Sequence, residues 1–175
     1  LFKMFKLRSM RVDADKTGVA STASDDDRIT PIGKLIRKFK FDELSQLINV
    51  FIGNMSLVGP RPQVEQDVNL YTKKEKELLN VRPGITDYSS IIFSDEGEIL
   101  EGSDEPDRDY NLLIRPWKSR LGIFYIENQS IINDIKLIIL TSISFINKNW
   151  VLQIISLHLH KKNADNDLVK IVLRE

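Results

Sequence analysis

Apolar and polar positions change their period along this chain, and each change marks an element. Phe5-Lys6-Leu7-Arg8-Ser9-Met10-Arg11-Val12 alternates, which predicts a strand with its cations on one face. Residues 13–27 are rich in Asp, Ser, Thr, Ala and Gly and read as a mobile loop, with Asp25-Asp26-Asp27 as solvated acids rather than a metal site. Thr30-Pro31 reads as an N-cap followed by a first-turn proline, opening a helix Pro31–Lys38 with Ile32, Leu35 and Ile36 inward. Leu44, Leu47, Ile48, Phe51 and Ile52 then fall at helical spacing, so a second helix starts at Asp42, as its N-cap or next to it, and stops at Gly53.

Two prolines make Gly53–Pro62 a rigid turn around Arg61. Gln63–Asn80 has a helical pattern through Val64, Val68, Tyr71, Leu78 and Leu79, ended by Arg82-Pro83-Gly84. Ile85–Phe93 reads as a strand and the acidic stretch Asp95–Asp109 as a long surface loop. Ser130 is the expected N-cap of a helix Ile131–Ile146. That helix is apolar round most of its circumference, so it is either deeply packed or laid in lipid headgroups. The predicted fold class is α+β, mainly helical, with a small sheet built from the Lys6 and Ile85 strands.

Composition narrows this picture. The chain has 175 residues, enough for one domain with a real core or one domain plus a tail, and its 25 basic and 25 acidic residues cancel, so bulk charge gives no argument for nucleic acid. It has no cysteine, which excludes disulfides and thiolate metal sites. No run reaches the roughly 18 apolar residues of a membrane span. His158 and His160, in the segment Trp150–Glu175, read as structural.

The candidate chemistry lies in Arg37-Lys38-Phe39-Lys40-Phe41-Asp42-Glu43. Two carboxylates follow a group of cations at a helix start, where unpaired N–H groups and the helix dipole favour negative charge. An ionised carboxylate, a second one able to hold a metal, and nearby cations suit phosphoryl chemistry; a plain structural cap uses the same residues. Arg61, held between prolines, suits bidentate phosphate binding, though an exposed loop arginine fits as well. Arg115-Pro116-Trp117-Lys118-Ser119-Arg120 adds cations beside an aromatic that anchors either a core or a membrane interface.

Taken in order, Lys6-Leu7-Arg8-Ser9-Met10, Arg28-Ile29-Thr30-Pro31-Ile32-Gly33, Asp42-Glu43-Leu44-Ser45-Gln46-Leu47, Asn49-Val50, Gly53 through Pro62 and Arg82-Pro83-Gly84-Ile85-Thr86 resemble the bacterial sugar transferases, the small monotopic phosphoglycosyl transferases. The resemblance implies a catalytic domain over residues 1–146 and a C-terminal tail over 147–175. It implies transfer of a sugar-1-phosphate from a UDP-sugar to polyprenyl (undecaprenyl) phosphate, the step that starts lipid-linked glycans, capsules and exopolysaccharides.

On the same basis Asp42 is the expected nucleophile and Glu43 the ligand of Mg²⁺. Lys6, Arg8, Arg37, Arg61 and Arg82 are the expected phosphate- and nucleotide-binding cations. Amphipathic helices would lie along the membrane plane, on the cytoplasmic face of the bacterial inner membrane, and a homodimer is left open. Relatives carry a hydrophobic re-entrant helix ahead of the position of Leu1, so the chain reads as N-terminally truncated. Asp87-Tyr88-Ser89-Ser90 replaces the usual continuation after Thr86, which leaves one phosphate-binding arginine unassigned, with Arg115 or Arg120 as substitutes. Alternatives are an inactive nucleotide-sugar-binding scaffold of the same fold and a soluble Mg²⁺ phosphohydrolase.

Overall fold

The computed structural model describes residues 1–174, apart from the side chain of Asp15. In chain order the elements are α1 Pro31–Lys38, α2 Phe41–Leu44, α3 Gln46–Phe51, β1 Ser56–Val58, α4 Glu65–Asn69, β2 Gly84–Thr86, α5 Tyr88–Ile92, α6 Glu96–Ile99, α7 Pro106–Asp109, α8 Arg115–Glu127, α9 Ile131–Ser144, α10 Lys148–Lys161 and α11 Asn166–Leu173. The protein is mainly helical with a two-stranded sheet, an α+β arrangement. It divides into two compact units. One is Leu1–Met55 with Asp95–Arg115, and the other is Ser56–Ser94 with the segment from Pro116 on.

In the first unit, α1 begins as its sequence dictates. Thr30 accepts the Gly33 N–H at 2.9 Å, and Pro31 occupies the first turn, where a missing N–H costs nothing. Gly33 is buried against the preceding chain: a Cβ there would lie 1.8 Å from the Ser9 carbonyl oxygen. The expected strand Phe5–Val12 does not form. Only Met10 bridges Ile29, antiparallel. The hydrogen bonds of residues 3–7 go instead to α2 and α3: Leu7 N–H donates to the Asp42 carbonyl at 3.1 Å and Phe5 N–H to Asn49 Oδ1 at 2.9 Å.

The helix predicted from Asp42 to Gly53 is broken in two at Ser45, and Gly53 ends it with φ +85°. In α1 the orientation also differs from expectation, which put Ile32 and Leu35 inward. Ile32, Leu35, Leu44, Leu47, Ile48 and Ile52 are exposed and Phe51 is 92% exposed, while Gly33, Asp42, Gln46 and Asn49 are buried. The polar stripe faces the unit's interior and the apolar stripe faces out.

The acidic stretch forms α6 and α7 rather than a loop, and it holds the 13–27 segment. Asp107 accepts the N–H groups of Ala20 and Ser21 at 3.2 and 2.6 Å, and Ser24 Oγ donates to Glu101 at 2.8 Å. Asp26 is not a solvated acid. Arg28 donates to it at 2.7 Å and holds its pKa below the ordinary value.

In the second unit β1 and β2 pair in parallel, Ser56 opposite Gly84 and Val58 opposite Thr86. The sheet therefore comes from the Gly53–Pro62 turn region and the start of the Ile85 run, not from the Lys6 strand. A Cβ on Gly84 would lie 2.1 Å from the Gly59 nitrogen, so this crossing requires glycine. The rest of the expected strand Ile85–Phe93 is α5, because Asp87 accepts the Ser90 N–H at 2.7 Å and caps a helix there. Ile91 and Ile92 are buried, and a run buried on all sides has no period to read.

The helix expected over Gln63–Asn80 is interrupted. Thr72 and Glu75 exchange backbone-to-side-chain bonds at 2.8 and 3.3 Å, a capping box that starts a new 3₁₀ turn, Glu75–Asn80. Ser130 caps α9 as predicted, accepting the Asn133 N–H at 3.2 Å. Core positions come from α5, α8, α9 and α10, with Leu121, Tyr125, Leu137, Val151, Ile155 and Leu159 fully buried or nearly so. Among the described residues no helix is long and apolar enough to cross a membrane.

Candidate active site

Asp42 lies in the first turn of α2 and is 3% exposed. Its N-cap is Lys40, held at φ 55°, a left-handed conformation that a non-glycine residue adopts at a cost. That reversal turns the chain so that Asp42 points inward, while Phe39 and Phe41 stack outside with ring centroids 5.7 Å apart.

One carboxylate oxygen, Oδ2, lies 3.3 Å from Lys6 Nζ. The other, Oδ1, is buried with no hydrogen-bond partner. Burying a carboxylate oxygen without a donor is costly, so folds retain such an atom mainly where a ligand or a reaction uses it. Glu43 follows on the same turn and is half-buried. No group of three His, Cys, Asp or Glu side chains able to hold a metal occurs among the described residues. The donor set at Asp42-Glu43 is therefore one or two carboxylates. That fits Mg²⁺, which is commonly bound by one or two carboxylates plus substrate phosphate oxygens and water, and does not resemble an all-protein cage.

The expected cations divide between the units. In the first unit, Lys6 meets Asp42 directly, Arg8 is exposed two residues further on, and Arg37 lies in the last turn of α1. The Arg37 Nη1 is buried without a hydrogen-bond partner, and its charge helps lower the pKa of Asp26. Arg61 and Arg82 belong to the second unit. Arg61 donates to the Ile85 carbonyl at 2.6 Å, which fixes it against β2, and Arg82 is exposed.

Arg115 donates to Asn111 at 2.8 Å. Arg120 pairs with Asp165 at 2.7 Å and lies over the Trp117 ring at 4.7 Å. Lys118, between them in sequence, lines a cleft with Arg61, Gln63, Tyr71 and Ser89.

Sequence reasoning missed three polar residues. Asn49 is fully buried, its Oδ1 accepting from Phe5 N–H and its Nδ2 donating to the Lys3 carbonyl at 2.8 Å. Gln46 is likewise fully buried. Both follow Asp42 at helical spacing, so the stripe 42, 46, 49 is visible in the sequence, but spacing alone does not say that it faces inward. Asp87, at the end of β2, is 1% exposed and accepts from Ser89 Oγ and Ser90 Oγ as well as Ser90 N–H. Burial pushes its pKa up despite these bonds and the nearby Arg61 charge.

The family model described as bacterial sugar transferase matches residues 1–148. The galactosyl transferase CpsE of Streptococcus agalactiae is 38% identical over 152 residues, covering 81% of this chain and 30% of that protein. A UDP-glucose:undecaprenyl-phosphate glucose-1-phosphate transferase of Xanthomonas campestris is 36% identical, covering 81% of this chain and 28% of the relative. A putative undecaprenyl-phosphate N-acetylgalactosaminyl 1-phosphate transferase of Bacillus subtilis is 52% identical over 85 residues, covering 49% of this chain and 44% of the relative. The chain thus spans less than half the length of each of these three relatives.

Proposed function

The chain belongs to the bacterial sugar transferase family, and from that premise we propose that it carries the catalytic part of an enzyme moving a sugar-1-phosphate from a UDP-sugar to a polyprenyl phosphate. The observation that carries the reading is the buried Asp42 carboxylate, paired with Lys6 on one oxygen and unpartnered on the other. The Xanthomonas relative is named for this donor and acceptor chemistry with glucose.

In the first step an Asp42 oxygen attacks the sugar-side phosphorus. An O–P bond forms, the bridging P–O bond of the diphosphate breaks, and UMP leaves with the bonding pair. In the second step an oxygen of the lipid phosphate attacks the same phosphorus, forms the new diphosphate bridge and releases the Asp42 carboxylate. A covalent step divides one difficult displacement into two easier ones. Lys6 offsets phosphate charge beside the nucleophile. Glu43 with Asp42 would hold Mg²⁺, which when bound offsets the charge of the diphosphate oxygens.

The exposed apolar stripe of α1–α3 supports a first unit that rests on a membrane surface, where the lipid acceptor resides. By the same reading that surface is the cytoplasmic face of the inner membrane.

In the full-length protein, Asp42→Asn is expected to lower UMP release by more than about a thousandfold. Glu43→Gln is expected to lower it about a hundredfold and to weaken its magnesium dependence. Wild type releases a stoichiometric burst of UMP without lipid and turns over only with polyprenyl phosphate added. Asp42→Asn turning over at the wild-type rate contradicts the reading.

A further inference from the structure

We infer that Asn49 is a positioning residue whose side-chain amide straps the segment Lys3–Leu7 across α2 and α3 so that the Lys6 ammonium is delivered to Asp42. The inference rests on the role proposed for Asp42. The strap pairs with no strand among the described residues, yet α2 and α3 meet the Lys3 carbonyl and the N–H groups of Phe5 and Leu7. Asn49 Nδ2 donates to the Lys3 carbonyl at 2.8 Å, and Asn49 Oδ1 accepts from Phe5 N–H at 2.9 Å. A side-chain amide thus stands in for the neighbouring strand that the alternating sequence of this segment called for. Two residues further, Leu7 N–H donates to the Asp42 carbonyl at 3.1 Å. Lys6 therefore sits between two anchors, one on α3 and one on α2, and its Nζ reaches Asp42 Oδ2 at 3.3 Å.

Asn49 is itself immobilised. It is fully buried, and its own carbonyl accepts the N–H groups of Asn54 and Met55 at 2.9 and 3.1 Å, tying α3 to the turn that follows. The chemistry is specific to asparagine. Aspartate keeps the acceptor for Phe5 N–H but loses the donor to Lys3, alanine loses both, and glutamine displaces the amide by a methylene. The Lys6 side chain is 41% exposed, so without the strap solvent and chain entropy favour its release from Asp42.

The test uses the full-length protein and two readouts. The first is acylation of Lys6 by an amine-reactive ester, mapped by mass spectrometry and normalised to Lys34 on α1, which needs no turnover. Asn49→Ala and Asn49→Asp are each expected to raise Lys6 acylation about tenfold, as fits the loss of one or two buried hydrogen bonds. The second is UMP release by Asn49→Ala, Lys6→Ala and the double variant. If Asn49 acts through Lys6, the double variant is no slower than the slower single variant. Asn49→Asp keeps one of the two bonds and guards against loss of folding in Asn49→Ala, with the thermal melt of each variant as the check.

Unchanged Lys6 acylation in either folded variant, or fully additive losses of rate, overturns the inference. If Lys6 acylation rises while the wild type transfers no sugar phosphate, the strap stands and the proposed reaction fails.

Discussion

At the scale of single residues, Asp87 carries a consequence that can be measured apart from catalysis. It is buried at the start of α5 and caps that helix through the Ser90 N–H. Burial outweighs its hydrogen bonds and raises its pKa above the ordinary carboxylate value near 4. The native state therefore holds this proton more tightly than the unfolded chain does. The stability it contributes is complete below that ordinary value and is lost as pH rises through the raised folded pKa. Asp87→Asn can still cap α5 but cannot ionise, so its urea midpoint should gain on wild type from pH 4 to pH 7. Asp87→Ala also loses the cap, at a cost of about 1 kcal/mol at every pH. A midpoint difference between Asp87→Asn and wild type that does not change with pH contradicts this account.

Residue identities were legible in uneven measure. Asp42-Glu43 stood out because adjacent acids follow a run of cations. Lys6 stood out only through the resemblance, because its approach to Asp42 depends on the Asn49 strap, which no local pattern announces.

At the scale of elements, spacing predicted where helices lie better than which way they face. An apolar stripe at helical spacing says only that one side avoids water. Whether it meets a protein core or lipid depends on what surrounds it. In α2 and α3 the interior side is Asp42, Gln46 and Asn49, and the apolar side is open. The caps at Thr30 and Ser130 were readable because each is a local hydrogen bond. The capping box at Thr72-Glu75 is just as local, but the longer periodic run around it hides it.

The open stripe makes its own prediction. Leu47→Glu and Phe51→Glu change exposed positions, so each should shift folding stability by no more than about 0.5 kcal/mol. Each should also weaken association with vesicles of anionic phospholipid about tenfold, because a buried large side chain is worth about 1.5–3 kcal/mol. Cosedimentation reads this directly. Variants that bind vesicles as wild type does would remove membrane contact from the role of α2 and α3.

At the scale of the whole molecule, the α+β class and the predominance of helix were readable from pattern, but the sheet was not. Its strands, Ser56–Val58 and Gly84–Thr86, are each short and lie beside glycines and prolines that mark turns. Their pairing depends on a close backbone crossing at Gly59 and Gly84 that only the folded chain reveals. Residues beyond the family match, read as a tail, form α10 and α11, and α10 places Val151, Ile155 and Leu159 in the core of the second unit.

The central claim is that an Asp42 oxygen becomes bonded to phosphorus. Its most direct measurement is peptide mass spectrometry of the full-length protein, quenched after mixing with UDP-sugar and Mg²⁺ in the absence of lipid acceptor. The account predicts a phosphosugar mass on the peptide bearing Asp42, absent in Asp42→Asn and discharged when polyprenyl phosphate is added. A phosphosugar on any other residue, or turnover with no adduct on Asp42 at any quench time, contradicts it.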